Sequence, residues 1–238
     1  MGIFKRIEVF GDSIMKGIQL NPLNKRYRID NHIDMEAIGH RYSLIINNNA
    51  QFGCTVTKGA KSIERFLAGG KSCDMMLMDF GGNDCNFDWE AISVSPDGEH
   101  QPNTPLNAFC DAYKNIIGAV KSMGIQPILT TLPPLEPQRF FDWFCNTLNR
   151  ENVMKWLGDV GTIYRWQESY SRAVERIADE TGTLIIDLRG AFLKHRRIGH
   201  LLCEDGTHPN TEGQRAISNA IMEFAEQMRF ARNAPATT

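Results

Sequence analysis

Ser13 stands in the run Phe10-Gly11-Asp12-Ser13-Ile14, directly after the apolar stretch Ile7-Glu8-Val9-Phe10. A serine hydroxyl is a weak nucleophile at neutral pH and needs a base within hydrogen-bond reach to take its proton. Far along the chain, Asp205-Gly206-Thr207-His208 supplies an imidazole, a group suited to that work, with a carboxylate three residues before it. A nucleophile, a base and an orienting acid are the parts of an acyl-transfer relay. Pro209 follows His208 and biases it away from the helical region, which stiffens the loop that would present it. Between the two ends lies Gly81-Gly82-Asn83-Asp84, again just after an apolar run, Met75-Met76-Leu77-Met78. The remaining histidines, His32, His40, His100, His195 and His200, lie in no such motif and read as solvated or structural.

Taken with Gly53, in Asn49-Ala50-Gln51-Phe52-Gly53-Cys54-Thr55, these motifs resemble those of the SGNH (GDSL-type) hydrolase family, in that family's order and over roughly residues 5–225. The resemblance implies a serine esterase or acylhydrolase that needs no cofactor and no metal and acts on a small-molecule ester. It implies Ser13 as nucleophile, His208 as base and Asp205 as the acid that orients the imidazole. The backbone N–H groups of Ser13 and Gly53 and the side-chain amide of Asn83 become the oxyanion donors, each worth about 10²–10³ in rate. Asp12 and Asp84 read as groups that bond loop N–H groups. Small O-acyl esters, such as acetyl on a sugar, are the first substrate class; a lysophospholipid or acyl thioester is the second. An O-acyltransferase would use the same residues with an alcohol in place of water. A flavodoxin-like binding module is the non-enzymatic alternative.

Five segments read as strands: 6–10, 43–47, 75–80, 126–131 and 183–187. The continuous apolar runs among them suit a parallel sheet covered on both faces. Apolar residues at 109, 112, 113, 116, 117 and 120 give residues 108–123 helical spacing, with Gly124 as the stop. Residues 164–181, ended by Gly182, and 211–230 read the same way. Strand alternating with helix predicts an α/β fold, a three-layer α/β/α doubly wound five-stranded parallel sheet of flavodoxin-like type. The expected strand order is 2-1-3-4-5, in keeping with the resemblance. Such sheets bind ligands beyond the carboxyl ends of their strands, where Ser13 and Asn83 fall.

A minimal sheet does not need residues 86–104 or 133–161. Both follow strand ends, on the rim where functional loops and lids occur. The second is rich in aromatics and reads as an insertion that is a lid, a helical unit packing its own rings, or both. Asp88, Trp89, Phe140, Trp143 and Trp156 are the candidates for lining a pocket, since large aromatics suit an acyl chain as well as a sugar face. The expected organisation is a single domain over 1–232 with a frayed tail at 233–238.

Charge is balanced, with 26 basic and 28 acidic residues and no basic block, which argues against nucleic acid as a partner. The first ten residues hold no secretory apolar core, and no run of 18 apolar residues occurs, so no membrane span is expected. The six cysteines are scattered without a Cys-x-x-Cys pair, so they read as reduced thiols in a cytoplasm rather than as a metal site.

Overall fold

The computed structural model describes residues 5–233. The chain runs β1 (Lys5–Gly11), β2 (Ile18–Leu20), β3 (Tyr27–Ile29), α1 (Met35–Tyr42), β4 (Leu44–Asn48), α2 (Val56–Ala68), β5 (Met75–Asp79), α3 (Trp89–Val94) and α4 (Leu106–Ser122). It continues with β6 (Gln126–Thr130), α5 (Pro137–Phe144), α6 (Arg150–Leu157), α7 (Gly161–Thr181), β7 (Leu184–Ile186), α8 (Leu188–Leu193) and α9 (Thr211–Asn233). Five strands pair in parallel in the order β4-β1-β5-β6-β7, which is the expected 2-1-3-4-5. Their ends fall within one or two residues of those read from the sequence.

The two-residue period of a strand separates the core into two layers. Met76 and Met78 of β5 point to the face covered by α2, α4 and α7, where they meet Val56, Ile63, Phe109, Tyr113 and Val174. Leu77 points to the other face, against Ile38 of α1, Phe192 of α8 and Ile217 of α9. Both faces are buried, which explains why the strand reads as an unbroken apolar run.

Several short elements escaped the periodicity. The helices α1, α3, α5, α6 and α8 have only about two turns each, too few for a clear 3.6-residue pattern. Each starts at a side chain that accepts a backbone N–H of its first turn: Asp34, Asp88, Glu136, Asn149 and Asp187. Those caps were the available signal. The antiparallel hairpin β2–β3 went unread because three-residue strands show no alternation. The segment 133–161 carries α5 and α6, and with α3 these build a third apolar cluster around Phe87, Trp89, Phe141, Val153 and Leu157. At the carboxyl end, α9 runs to Asn233, three residues beyond the expected end of that helix; the rest of the expected tail, 234–238, lies outside the described residues.

Candidate active site

Gly11 ends β1, and the chain turns at once. Asp12 directs the turn: its Oδ1 accepts the Ile14 N–H at 2.8 Å and its carbonyl accepts the Lys16 N–H. Ser13 is thereby held at the carboxyl end of the sheet, with its Oγ 3.0 Å from His208 Nε2. His208 Nδ1 lies 2.7 Å from Asp205 Oδ2, while Asp205 Oδ1 accepts the N–H groups of Thr207 and His208 at 3.1 Å each. Burial alone would push the Asp205 carboxyl up. The hydrogen bond and charge of His208, together with the two amides, outweigh that and hold it below the usual range.

The loop carrying this pair is fixed from both sides. Cys203 N–H bonds the His208 carbonyl, and Glu136 N–H bonds the Gly206 carbonyl at 2.8 Å. Gly206 has φ +74, and a Cβ there would lie 2.7 Å from both the Glu136 carbonyl and the Phe140 nitrogen. Only glycine allows this backbone to press against the start of α5. The aromatic insertion and the histidine loop are therefore one packed unit.

Asn83 lies across from Ser13, in the turn after β5. Its Nδ2 donates to Asp12 Oδ2 at 3.0 Å and to the Cys54 carbonyl at 3.2 Å. The amide thus bridges the Gly11–Ser13 turn and the Gly53 loop. Gly53 itself has φ +67 and space around it, so backbone conformation rather than crowding requires glycine there. Ser13, Gly53, Asn83 and His208 line one cavity of about 310 Å³. Asp205 stands behind His208, fully buried.

Three carboxyls, Asp12, Asp79 and Asp84, lie near Ser13. Burial pushes Asp12 well up, aided by the charge of Asp79, and pushes Asp79 and Asp84 up to about 6. Asp79 Oδ1 accepts the Thr130 hydroxyl at 2.6 Å, whereas its Oδ2 is buried without a hydrogen-bond partner. Asp84 takes the Val56 N–H, which anchors the start of α2 beside the Gly53 loop. A carboxyl raised in the folded state binds its proton more readily there than in the unfolded chain. The stability it contributes is full below the ordinary value and is lost as pH rises through about 6. The melting temperature is therefore expected to fall by several degrees between about pH 5 and about pH 8, and Asp79→Asn to flatten that fall. Thermal unfolding of both proteins across that range checks this; parallel curves would remove Asp79 from the account.

Of the expected pocket residues, Trp89, Phe140 and Trp143 line the cavity. Two do not. Asp88 is exposed and caps α3 through the Ala91 N–H, a short polar side chain doing the ordinary work of a helix start. Trp156 stands one layer back, stacked on Trp166 and edge-on to Phe87.

The sequence reading missed two rings at the mouth. Tyr27, on the β2–β3 hairpin, packs its ring 4.8 Å from the His208 imidazole, and Phe52 lies parallel to that imidazole at 6.1 Å. Burial, followed by the nearby Asp205 carboxylate, pushes the Tyr27 phenol up and keeps it protonated. Lys25, in the hairpin turn, pairs with Glu204 beside Asp205. Tyr27 sits in no motif, and Phe52, although next to Gly53, has no role in the motif, so only tertiary structure reveals them.

A family model for the GDSL-like lipase/acylhydrolase family matches residues 9–216. The chain belongs to that family. The family is one of lipases and acylhydrolases. A curated relative, the GDSL esterase/lipase CPRD49 of Arabidopsis thaliana, is 22% identical over 159 residues, which are 66% of this chain and 56% of that protein. The chain thus spans little more than half the length of that relative. Among solved structures, a lipase/acylhydrolase from Enterococcus faecalis superposes with TM-score 0.67 at 18% identity, covering 94% of this chain and 97% of the other. Axe2, an acetylxylan esterase from Geobacillus stearothermophilus, gives 0.64 at 19% identity, covering 93% and 94%. These likenesses establish the fold. No helix among the described residues is long and apolar enough to cross a membrane.

Proposed function

We propose that this protein hydrolyses carboxylic esters through an acyl-serine intermediate. The observation that carries the reading is the hydrogen-bonded chain Ser13–His208–Asp205 opening on a cavity that Gly53 and Asn83 also line. Ser13 Oγ attacks the acyl carbon while His208 Nε2 takes its proton. Asp205 holds the imidazole in orientation and stabilises its charged form. The negative oxygen that develops is met by the N–H groups of Ser13 and Gly53 and by the Asn83 amide. His208 then passes its proton to the leaving alcohol, the C–O bond breaks, and acyl-Ser13 remains. Water enters on the same side and adds to the acyl carbon as His208 takes its proton; the bond to Ser13 Oγ then breaks, Ser13 regains the proton from His208, and the acid is released.

A carbohydrate is the favoured alcohol. Support comes from the exposed rings of Tyr27 and Phe52 at the His208 side of the mouth, 38% and 53% accessible, which suit the apolar face of a sugar. The acetylxylan esterase among the structural neighbours supports the same choice. The whole described chain is read as one catalytic unit, since the α5–α6 insertion packs directly on the histidine loop. Its six free cysteines support a reducing compartment, the cytoplasm.

The direct test is to trap the acyl-enzyme. Wild-type protein quenched with acid during turnover of p-nitrophenyl butanoate is expected to gain one butanoyl mass on the peptide holding Ser13, and Ser13→Ala none. An adduct on another residue, or equal labelling of the variant, would overturn the assignment.

A further inference from the structure

The four groups around a tetrahedral carbon on Ser13 divide the cavity between them. One is Ser13 Oγ itself. The second, the oxyanion, faces Gly53 and Asn83, and the third, the leaving oxygen, faces His208. The fourth is the acyl substituent, which takes the direction left over. The cavity on which Ser13 opens is also walled by Phe87, Trp89, Leu135, Phe144, Leu157 and Trp166, and this apolar chamber is the space left for it.

Asn86 and Gln167 at that end already bond within the protein. Asn86 Oδ1 accepts the Trp89 indole N–H at 2.7 Å. Gln167 Nε2 donates to the Pro133 carbonyl at 2.6 Å, and its Oε1 accepts from Arg189 Nη1 at 2.9 Å. The carboxyls that touch the cavity, Asp12 and Asp79, lie near Ser13. A hydroxylated or charged acyl group would lose water there against a mostly apolar lining, whereas methylenes would meet ring faces and leucines. An acetyl group would end at the threshold and leave the chamber unused.

We propose that the chamber is an acyl subsite and that the substrate carries a medium-length aliphatic acyl group, from butanoyl to octanoyl, rather than acetyl. This rests on the acyl-serine reading of the preceding subsection and divides the substrate: alcohol at Tyr27 and Phe52, acyl chain at Trp89 and Phe144. Acetyl, favoured at the level of sequence, is the half of that expectation the chamber argues against.

The experiment is a kcat/KM series on p-nitrophenyl acetate, butanoate, hexanoate, octanoate and dodecanoate, with wild type, Ser13→Ala and Ile163→Phe. Ile163 is a buried aliphatic of the same cavity, and the larger ring would fill chamber space. Wild type is expected to gain about fourfold per added methylene up to the middle of the series. Ile163→Phe is expected to lower the octanoate-to-acetate ratio at least tenfold. A wild-type optimum at acetate, abolished in Ser13→Ala, would overturn the acyl subsite and leave the esterase reading standing.

A second readout needs no turnover, because all four tryptophans, Trp89, Trp143, Trp156 and Trp166, lie in or against the cavity. Octanoate added to Ser13→Ala is expected to change their fluorescence saturably, and acetate is not. Absence of any Ser13-dependent turnover would defeat the esterase reading. A flat octanoate titration would defeat the chamber even then, and would do so equally if Ile163→Phe failed to fold.

Discussion

Ser13→Ala and His208→Ala are each expected to lower kcat by about 10⁴–10⁶-fold, with the double variant no worse than either alone. The expectation follows from the 3.0 Å contact between Ser13 Oγ and His208 Nε2. Each residue contributes only through the other: an alcohol without its base is not ionised, and a base without its alcohol has no proton to take. Losses from residues that act as one device do not add. What remains in each variant is the turnover that oxyanion donors and binding supply by themselves. Asp205→Ala is expected to cost less, because it orients the imidazole and does not react. Single-turnover rates on p-nitrophenyl butanoate, with melting curves to show that each variant folds, make the measurement. An additive double variant would mean that the two side chains work separately, and that the relay does not exist as drawn.

Much of this arrangement was legible in the sequence, for a physical reason. The motifs sit where strands end, and strands buried on both faces announce themselves as unbroken apolar runs, as in Met75–Asp79. Placing the runs places the motifs on one rim of one sheet, and a short loop brings Asp205 and His208 together. The rest depends on contacts that sequence spacing does not encode. Tyr27 reaches His208 because a hairpin of three-residue strands folds over the mouth. Gly206 meets α5 because the Glu136 N–H at the start of that helix bonds the Gly206 carbonyl. Asp88 shows the opposite error: an acid beside a tryptophan looked like a pocket residue, yet its side chain is used by the helix it begins. The same carboxylate type serves as cap at Asp88, as anchor of α2 at Asp84 and as partner of the imidazole at Asp205. Burial and neighbours, not residue type, separate those uses.

Asn83→Ala is expected to lower kcat by about 10²–10³-fold with little change in KM. The split matters. An amide that held the ground-state carbonyl as tightly as the oxyanion would raise KM and leave kcat alone. Both Asn83 N–H contacts in this structure go to protein oxygens, Asp12 Oδ2 at 3.0 Å and the Cys54 carbonyl at 3.2 Å. An oxyanion must therefore share or displace one of them, and full negative charge competes for the donor better than a neutral carbonyl does. The contact strengthens as charge develops, which is the condition for accelerating the chemical step. Asp12 governs the exchange. Burial pushes its carboxyl well up, while the bonds it accepts from the Ile14 N–H and the Asn83 amide pull it down, so the carboxyl and the amide hold each other in place. Asp12→Asn must set its NH₂ against one of those two donors, so it is expected to lower kcat toward the level of Asn83→Ala. Steady-state kinetics of both variants across the pH range decide this. A large KM effect in Asn83→Ala would assign the amide to substrate binding, and an Asp12→Asn variant with unchanged kcat would show that Asp12 does not hold the amide in place.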